Sequence, residues 1–451
     1  MRRLKGSVVF NLLSTVSRYF RQSLVVMTPT PTIASLIAHP HAAQAYPFTV
    51  DAAHRRDTFN GTVALHQIVA HIGLTSGDRV LLPAYLCGSE LGPFKHCGCD
   101  IAFYNVNGDL QADLVDIRTE LKTPTRALLL THYLGFPQHH SAAIRALCDS
   151  TNTELIEDCA HALFSSDADG PLGRYGSYAL FSPRKTLPIV DGGMAVSEHV
   201  LNPDGAWAAA RPPLLPTIDR LFYGVQQSSR RHGSGNTRFA AWAAIAVFTP
   251  LSVLIKVARK VGLVPAWAWA TADVEGRAAV PFYAYRMSSL GALALQRADS
   301  QQIIDARRAN FRRWAEALRD SDGVTLLIDS LDDGVCPLYC PVLVDAPDRV
   351  VSLLAAQDIE AFRWWPHLYD AIDWADHPHL VTLKRQTVAL PVHQQLSSAD
   401  IAALAERVMH VIAQSRAELQ HAAASPSSPA ARAEAAPSGH LDTQPQQPNA
   451  W

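Results

Sequence analysis

The stretch that decides the fold runs from Leu155 to Gly193 and contains three short motifs, LIEDCAHA at 155–162, FSPRKT at 181–186 and DGG at 191–193. The apolar residues that open the first motif predict a buried strand, and two acids follow them at once. Lys185 lies 27 positions after Asp158, and a second strand is expected to deliver it. Because the carboxyl ends of parallel strands meet at one edge of a sheet, the acid and the lysine should face the same site.

Short apolar runs of strand type alternate with helical stretches on both sides of these motifs, from Phe59 to Val196. Such alternation is typical of a mostly parallel α/β sheet. A helical run at 291–320 and an apolar run at 338–344 predict a second, smaller α/β domain that follows the large one in the sequence. We therefore expect four parts: an N-terminal segment (1–57), a large domain (58–290) with an insertion at about 202–278, a small C-terminal domain (291–415) and a disordered tail (416–451).

The composition is that of a globular protein with a small-molecule ligand. A chain of 451 residues is too long for one ordinary core, which agrees with two packed domains. Lys and Arg together number 39 against 41 Asp and Glu, so there is no basic field for nucleic acid. The seven cysteines are odd in number and irregularly spaced, which favours a reducing, cytoplasmic location.

Two segments bear on membrane contact. Residues 1–26 fit two interpretations equally well, a basic amphipathic helix on a membrane surface or an over-extended start with translation from Met27. The apolar segment Phe239–Ile255 is short for a membrane span and is interrupted by Pro250. We expect it to be buried or to make peripheral membrane contact rather than to span a bilayer.

A lysine and a strand-end carboxylate are the pair that pyridoxal 5′-phosphate (PLP) chemistry requires. The lysine amine binds the cofactor covalently, and the carboxylate faces the pyridine nitrogen and keeps it protonated. Taken singly, Asp158 is explained as a turn or cap residue and Lys185 as a solvated charge. Their joint occurrence ahead of the glycine pair favours the cofactor site.

The sequence resembles the DegT/DnrJ/StrS family of sugar aminotransferases, PLP enzymes of fold-type I, from about Phe59 to Ile412. Besides the Lys185 region, four blocks carry the resemblance in the family's order: NGTVALH at 60–66 with GDRV at 77–80, THY at 131–133, YRMS at 285–288 and VALPVH at 388–393. The resemblance implies a large α/β domain that bears the cofactor and a small C-terminal α/β domain.

The resemblance also implies roles for single residues. Lys185 would be the Schiff-base lysine and then the general acid and base of the proton shift. Asp158 would pair with the pyridine nitrogen, and His161 would contact the phenolic oxygen, although a histidine in a core is the simpler explanation outside this context. Gly61 and Thr62 would offer the N-terminus of a helix to the phosphate.

Ser182 would add a hydroxyl to the phosphate site, but the family usually has two more residues between this serine and the lysine. Other departures from the family lie elsewhere. The position that stacks on the cofactor ring, commonly aromatic, aligns with Cys87, with Tyr85 as a nearby substitute. An asparagine that reaches the partner subunit's phosphate aligns with Ala284, which leaves Arg286 as its replacement in a homodimer.

The implied reaction transfers the amino group of an amino acid, by resemblance glutamate, to a keto group of a nucleotide-linked sugar, for polysaccharide or glycoconjugate synthesis. One alternative is other PLP chemistry on a sugar nucleotide, such as deoxysugar dehydration, but such relatives carry histidine in place of Lys185. The second alternative is a catalytically silent scaffold of the same fold. No metal site is expected: the proline in the DHPH run at 376–379 predicts a turn, and a solvated loop is favoured there.

Overall fold

The computed structural model describes residues 27–31, 45–201, 210–212, 217 and 283–424. The basic segment 1–26, the apolar segment Phe239–Ile255 and almost all of the predicted insertion lie outside these described residues. Within the described ranges, no helix combines the length and the apolar character that crossing a bilayer requires.

A seven-stranded sheet forms the centre of the larger half of the molecule, in the spatial order β1-β9-β8-β5-β4-β2-β3. The strands of this half are β1 (Arg55–Thr58), β2 (Arg79–Pro83), β3 (Asp100–Tyr104), β4 (Ala127–Thr131), β5 (Glu154–Cys159), β6 (Ser166–Asp167), β7 (Gly170–Pro171), β8 (Tyr178–Phe181) and β9 (Gly193–Ser197). Strands β6 and β7 are not part of the large sheet and pair only with each other. Neighbours from β3 to β8 run parallel, and β9 alone is reversed, since it pairs antiparallel with both β8 and β1. The predicted mostly parallel α/β sheet is confirmed.

Helices connect these strands, as parallel pairing requires. They are α1 (Gly61–Ile72), α2 (Leu91–Cys97), α3 (Leu114–Glu120), α4 (Ser141–Thr151), the short α5 (Pro183–Thr186) and α6 (Ser289–Leu295). Helix α1 begins where the Asn60 side chain accepts a hydrogen bond from the Val63 amide, 2.9 Å away. It ends at Gly73, whose φ of 74° is a left-handed conformation that glycine adopts without strain.

A four-stranded antiparallel sheet forms the centre of the smaller half, in the order β10-β11-β13-β12. Its strands are β10 (Val324–Leu326), β11 (Tyr339–Val344), β12 (Phe362–Arg363) and β13 (Thr387–Pro391), and its helices are α7 (Ser300–Leu318), α8 (Pro347–Ala356), α9 (Pro378–Gln386) and α10 (Ser398–Ala424). Buried side chains such as Trp314, Val342, Leu354 and Val408 form a hydrophobic core of its own. This is the small α/β architecture that the sequence predicts after residue 290.

Helix α10 continues to Ala424, past the boundary at 415 where the sequence predicted a disordered tail. The residues after this boundary are good helix formers, chiefly Ala, Glu, Leu and Gln. Two ion pairs also hold this turn, between Arg416 and Asp322 and between Glu418 and Arg349. The helix is therefore extended by contacts with α8 and with the turn after α7. The composition of the tail does not reveal these contacts.

Candidate active site

The carboxyl edge of the parallel strands brings the predicted acid and lysine to one place. Asp158 is the next-to-last residue of β5, and in the parallel ladder it lies beside Leu180 of β8. Strand β8 ends at Phe181, and the short helix α5 that follows it carries Lys185. The spacing of 27 residues thus corresponds to one crossover between neighbouring strands.

The amine of Lys185 lies 3.0 Å from Nε2 of the buried His161. The other ring nitrogen, Nδ1, accepts the Leu134 amide at 3.5 Å, so the neutral ring carries its proton on Nε2 and can donate it to an uncharged amine. Burial lowers the pKa of Lys185, and nearby Arg184 acts in the same direction. Burial and the charge of Lys185 hold the pKa of His161 well below its usual range. Both groups are therefore set toward their neutral forms.

Asp158 is buried, with an exposed fraction of 5%. Its Oδ1 accepts the Ala160 amide at 2.9 Å. Burial raises the pKa of this carboxyl to about 6, and the nearby Glu90 adds to the increase, while Lys185 opposes it. A cationic group placed against Asp158 would reverse this shift, because an adjacent positive charge favours the carboxylate.

A cradle for an anion lies where α1 begins. The first amide groups of a helix, here those of Gly61 and Thr62, have no partner within the helix. Ser182 lies beside them, since a Cβ added to Gly61 would be 3.4 Å from the Cβ of Ser182. The Ser182 hydroxyl is buried and has no hydrogen-bond partner among the described residues. Helix amides together with an unpaired hydroxyl fit a phosphate dianion.

The glycine pair of the DGG motif explains how β9 reaches this cradle. Gly192 has a φ of 147°, which a residue with a side chain rarely adopts. A Cβ on Gly193 would lie 2.1 Å from the backbone carbonyl of Asn60, the residue that caps α1. Only glycine permits this approach, so the motif positions the start of α1.

Cys87 and Tyr85 do not present an aromatic face in the way that the sequence suggested. The Cys87 sulfur lies 2.9 Å from the Ser89 hydroxyl and 3.1 and 3.2 Å from the two carboxylate oxygens of Glu90. Burial raises the pKa of this thiol. Tyr85 is fully buried, with its ring 5.6 Å from that of Tyr133. The aromatic surface near Lys185 comes from elsewhere in the chain.

Four residues that sequence reasoning missed surround the predicted site: Glu90, Trp364, Trp365 and Lys384. The rings of Trp364 and Trp365 stack 4.8 Å apart and lie 5.2 and 5.3 Å from the His161 ring. Glu90 is buried beside Cys87. The sequence offers two signals for these residues: the tryptophan pair that precedes Pro366, and Glu90 at the start of an apolar helix. Neither signal indicates which distant residues the side chains contact.

Arg286 pairs with Thr58 in an isolated antiparallel bridge, close to the start of α1. Its amide donates to the Ala210 carbonyl at 3.0 Å, and its side chain is exposed in the single chain. No described hydrogen bond joins this side chain to Lys185 or Ser182. Any role at a phosphate site would belong to a second subunit.

The solvated-loop interpretation of the DHPH run is wrong for His377, which is buried. Its Nδ1 lies 2.9 Å from the Asn105 side-chain oxygen, and the His379 Nε2 lies 2.7 Å from the Val106 carbonyl. The proline was predicted to form a turn, but Pro378 is the first residue of α9. It lacks an amide hydrogen, which costs nothing there because the first amides of a helix have no partner within the helix. Both histidines attach the small half to the large half.

A different group, His132, Glu157 and Cys159, has ligand atoms close enough to share a metal ion. However, Glu157 already faces the His132 imidazole at 2.9 Å and accepts the Gly173 and Gly176 amides at 3.1 and 2.6 Å. This pattern explains the buried carboxylate without an ion.

Comparison with known proteins places this geometry in context. Residues 48–202 match the model of the DegT/DnrJ/EryC1/StrS aminotransferase family. A GDP-perosamine synthase of Vibrio cholerae is 32% identical over 147 residues, which are 32% of this chain and 40% of that protein. A dTDP-4-dehydro-2,3,6-trideoxy-D-glucose 4-aminotransferase of Saccharopolyspora spinosa is 26% identical over 364 residues, 78% of this chain and 83% of that protein.

Solved structures agree at the level of the fold. The aminotransferase TlmJ of Streptoalloteichus hindustanus has a TM-score of 0.60 at 19% identity and covers 87% of this chain and 99% of its own. The PLP form of the sugar aminotransferase Spr1654 of Streptococcus pneumoniae has a TM-score of 0.58 at 15% identity, over 87% and 99% of the two chains. The aligned part of this chain spans only about two fifths of the length of the two perosamine synthases that it matches, 40% and 38%.

Proposed function

We propose that this chain is a PLP-dependent aminotransferase of the DegT/DnrJ/EryC1/StrS family, whose model matches residues 48–202. It moves an amino group from an amino acid, glutamate by family resemblance, to a keto group of a nucleotide-linked sugar, in polysaccharide or glycoconjugate synthesis. The names of the two curated relatives, both enzymes of amino-sugar nucleotides, support this substrate class. The observation that carries the proposal is the group formed by the half-buried Lys185 with the buried His161 and Asp158 at the carboxyl edge of the sheet.

PLP, when bound, supplies an electron sink for the negative charge that develops on the substrate carbon. The residues of this chain have the chemistry to hold it: Lys185 to bind it covalently, Asp158 to hold a proton at the ring nitrogen, and Ser182 with the amides of Gly61 and Thr62 to bind the phosphate. The orphaned Ser182 hydroxyl is the observation that supports this fit, since a buried polar group without a partner requires an explanation.

Lys185 moves the proton in the transfer. Burial lowers the pKa of its amine, which favours the neutral form that can take a proton from the substrate carbon and return it to the neighbouring atom. His161 orients this amine through Nε2 and is fixed in turn by the Leu134 amide. The rings of Trp364 and Trp365 place apolar surface beside His161, next to this amine.

We also propose that the protein is a cytoplasmic homodimer and that Arg286 of one subunit reaches the phosphate of the other. The exposed position of Arg286 next to the start of α1 supports this arrangement. Sedimentation showing a fully active monomer would exclude the shared site.

A visible absorption spectrum of the purified protein with PLP tests the proposed function. A band from lysine-bound PLP that disappears on addition of L-glutamate is the expected result, and its absence would favour the silent scaffold. A band that persists with glutamate but responds to a sugar nucleotide alone would favour the other PLP chemistry.

A further inference from the structure

Lys384 is a second lysine near the site and is fully buried, with an exposed fraction of 0%. Its Nζ donates hydrogen bonds to the carbonyl oxygens of Leu86 and Trp365, each at 3.0 Å. Leu86 belongs to the loop after β2 in the large sheet, whereas Trp365 follows β12 in the small sheet. One side chain thus joins two segments that are far apart in the sequence.

Three aromatic rings surround this amine, and the nearby charge of Glu90 opposes the effect of burial on its pKa. The Nζ lies 4.8 Å from the ring centre of Tyr85, 5.6 Å from that of Trp374 and 5.8 Å from that of Tyr369. Lys384 forms no ion pair within the described part of the chain. An apolar side chain would fill such a space at a lower desolvation cost. We therefore attribute the presence of a lysine here to the two hydrogen bonds that its amine donates.

The segment 364–377, here called the crossing segment, runs from the small sheet to the carboxyl edge of the large sheet. The Tyr369 hydroxyl donates to the Cys87 carbonyl, and the Trp374 indole donates to the Tyr369 carbonyl at 3.0 Å. The bond between His377 and Asn105 fixes its far end. The crossing segment therefore forms one wall of the candidate active site.

Trp365 is the strained point of this wall. Its φ of 49° lies in the left-handed region, which costs a residue with a side chain about 1 kcal/mol or more. Its ring lies 5.3 Å from that of His161, the residue bonded to Lys185. The hydrogen bond from Lys384 to the Trp365 carbonyl therefore also restrains the surroundings of Lys185.

We propose that Lys384 is a positioning residue, which holds the Trp365 peptide against the Leu86 peptide and thereby fixes the Trp365 ring beside His161 and Lys185. This inference rests on the proposed function. Burial lowers the pKa of Lys384 to about 7. The charged form has three hydrogens and the neutral form two, so both forms can hold the two carbonyls and the tether persists on either side of this pH.

The test replaces Lys384 by methionine, which matches its length but cannot donate. The full-length variant is loaded with PLP, and the visible circular dichroism of lysine-bound PLP and the rate of its loss with L-glutamate are measured. We expect the dichroism, which reports the asymmetry of the walls, to fall at least about twofold and the glutamate rate about tenfold, as small misplacements do in active sites. Lys384→Gln, whose amide has two donors, should lie between the parent and the methionine variant.

Val350→Ala is the matched control, because it opens a cavity in the core of the small half, away from Lys384. It should lower the unfolding temperature while leaving both PLP readings as in the parent. If Lys384→Met does not fold, Lys384→Gln decides the same question. Parental dichroism and glutamate rate in the folded Lys384 variants, or equal losses in Val350→Ala, would overturn the positioning role.

The two proposals fail differently. Parent protein that develops no visible band with PLP contradicts the proposed function itself. A normal band in the parent together with unaffected Lys384 variants contradicts only the role of Lys384.

Discussion

The Nζ of Lys185 lies 3.0 Å from Nε2 of His161, and both side chains are held toward their uncharged forms by burial. His161 lies in the turn after β5 and Lys185 in the short helix after β8, and the two meet because β5 and β8 are parallel neighbours. Lys185 thus has a lowered pKa and a histidine rather than a carboxylate as its hydrogen-bond partner. Such an amine can act as nucleophile and as base.

Asp158→Asn should keep lysine-bound PLP yet slow transamination severely. The lysine survives, but the ring nitrogen loses the carboxylate that holds its proton through a charge-assisted hydrogen bond. Losing about 3–5 kcal/mol of that stabilisation lowers the rate by about two to four orders of magnitude. Stopped-flow decay of the visible band with L-glutamate measures it, and rates within a few-fold of the parent would show that Asp158 is structural.

Ser182→Ala should weaken the affinity for PLP, because it removes the unpaired hydroxyl beside the start of α1. A hydrogen bond to a charged phosphate contributes about 1.5–3 kcal/mol, so Kd should rise roughly 10- to 150-fold. Pyridoxal without the phosphate should bind both proteins equally. Ser150→Ala, at an exposed position, is the control. An equal loss of pyridoxal affinity would place Ser182 elsewhere than at the phosphate.

Gly193→Ala should destabilise the fold, because the new Cβ would lie 2.1 Å from the Asn60 carbonyl group. Relieving this overlap displaces β9 or the start of α1, at a cost of about 2–4 kcal/mol. Gly108→Ala is the matched control, since a Cβ there meets nothing within 4 Å. Urea unfolding measures both variants, and similar midpoints would refute the close approach.

Stability should depend on pH through Lys384. Burial lowers its pKa to about 7 in the folded protein, against 10.5 for a free lysine side chain. The unfolded chain therefore binds the Lys384 proton more tightly than the folded protein does. Burying the charged amine lowers the unfolding free energy by its full amount below about pH 7, and this loss of stability diminishes as the pH rises toward 10.5. Relative to Lys384→Met, the unfolding free energy of the parent should rise by roughly 2–3 kcal/mol between pH 7 and 9. Parallel pH curves for the two proteins would contradict this shift.

The sequence was sufficient for the features that depend on strand order. Asp158 and Lys185 could be placed together because consecutive strand ends share an edge in a parallel sheet. The glycine pair and the capped start of α1 were likewise local patterns. The crossing segment could not be predicted, since the bonds of Lys384 to Leu86 and Trp365 depend on how the two halves pack. The surroundings of Tyr85 could not be predicted for the same reason, because its ring lies next to Tyr133 and to Trp365 of the small half.

Borohydride reduction of the PLP-loaded protein, followed by peptide mapping, tests the central claim most directly. The chain has seven lysines, and two of them, Lys185 and Lys384, lie near the proposed site. Among the lysines that the structure describes, only Lys185 has its amine hydrogen-bonded to His161, and its charge opposes the raised pKa of Asp158. We predict that the reduced label is found on Lys185 alone. A label on Lys384 or on any other lysine, or no label at all, would contradict the account.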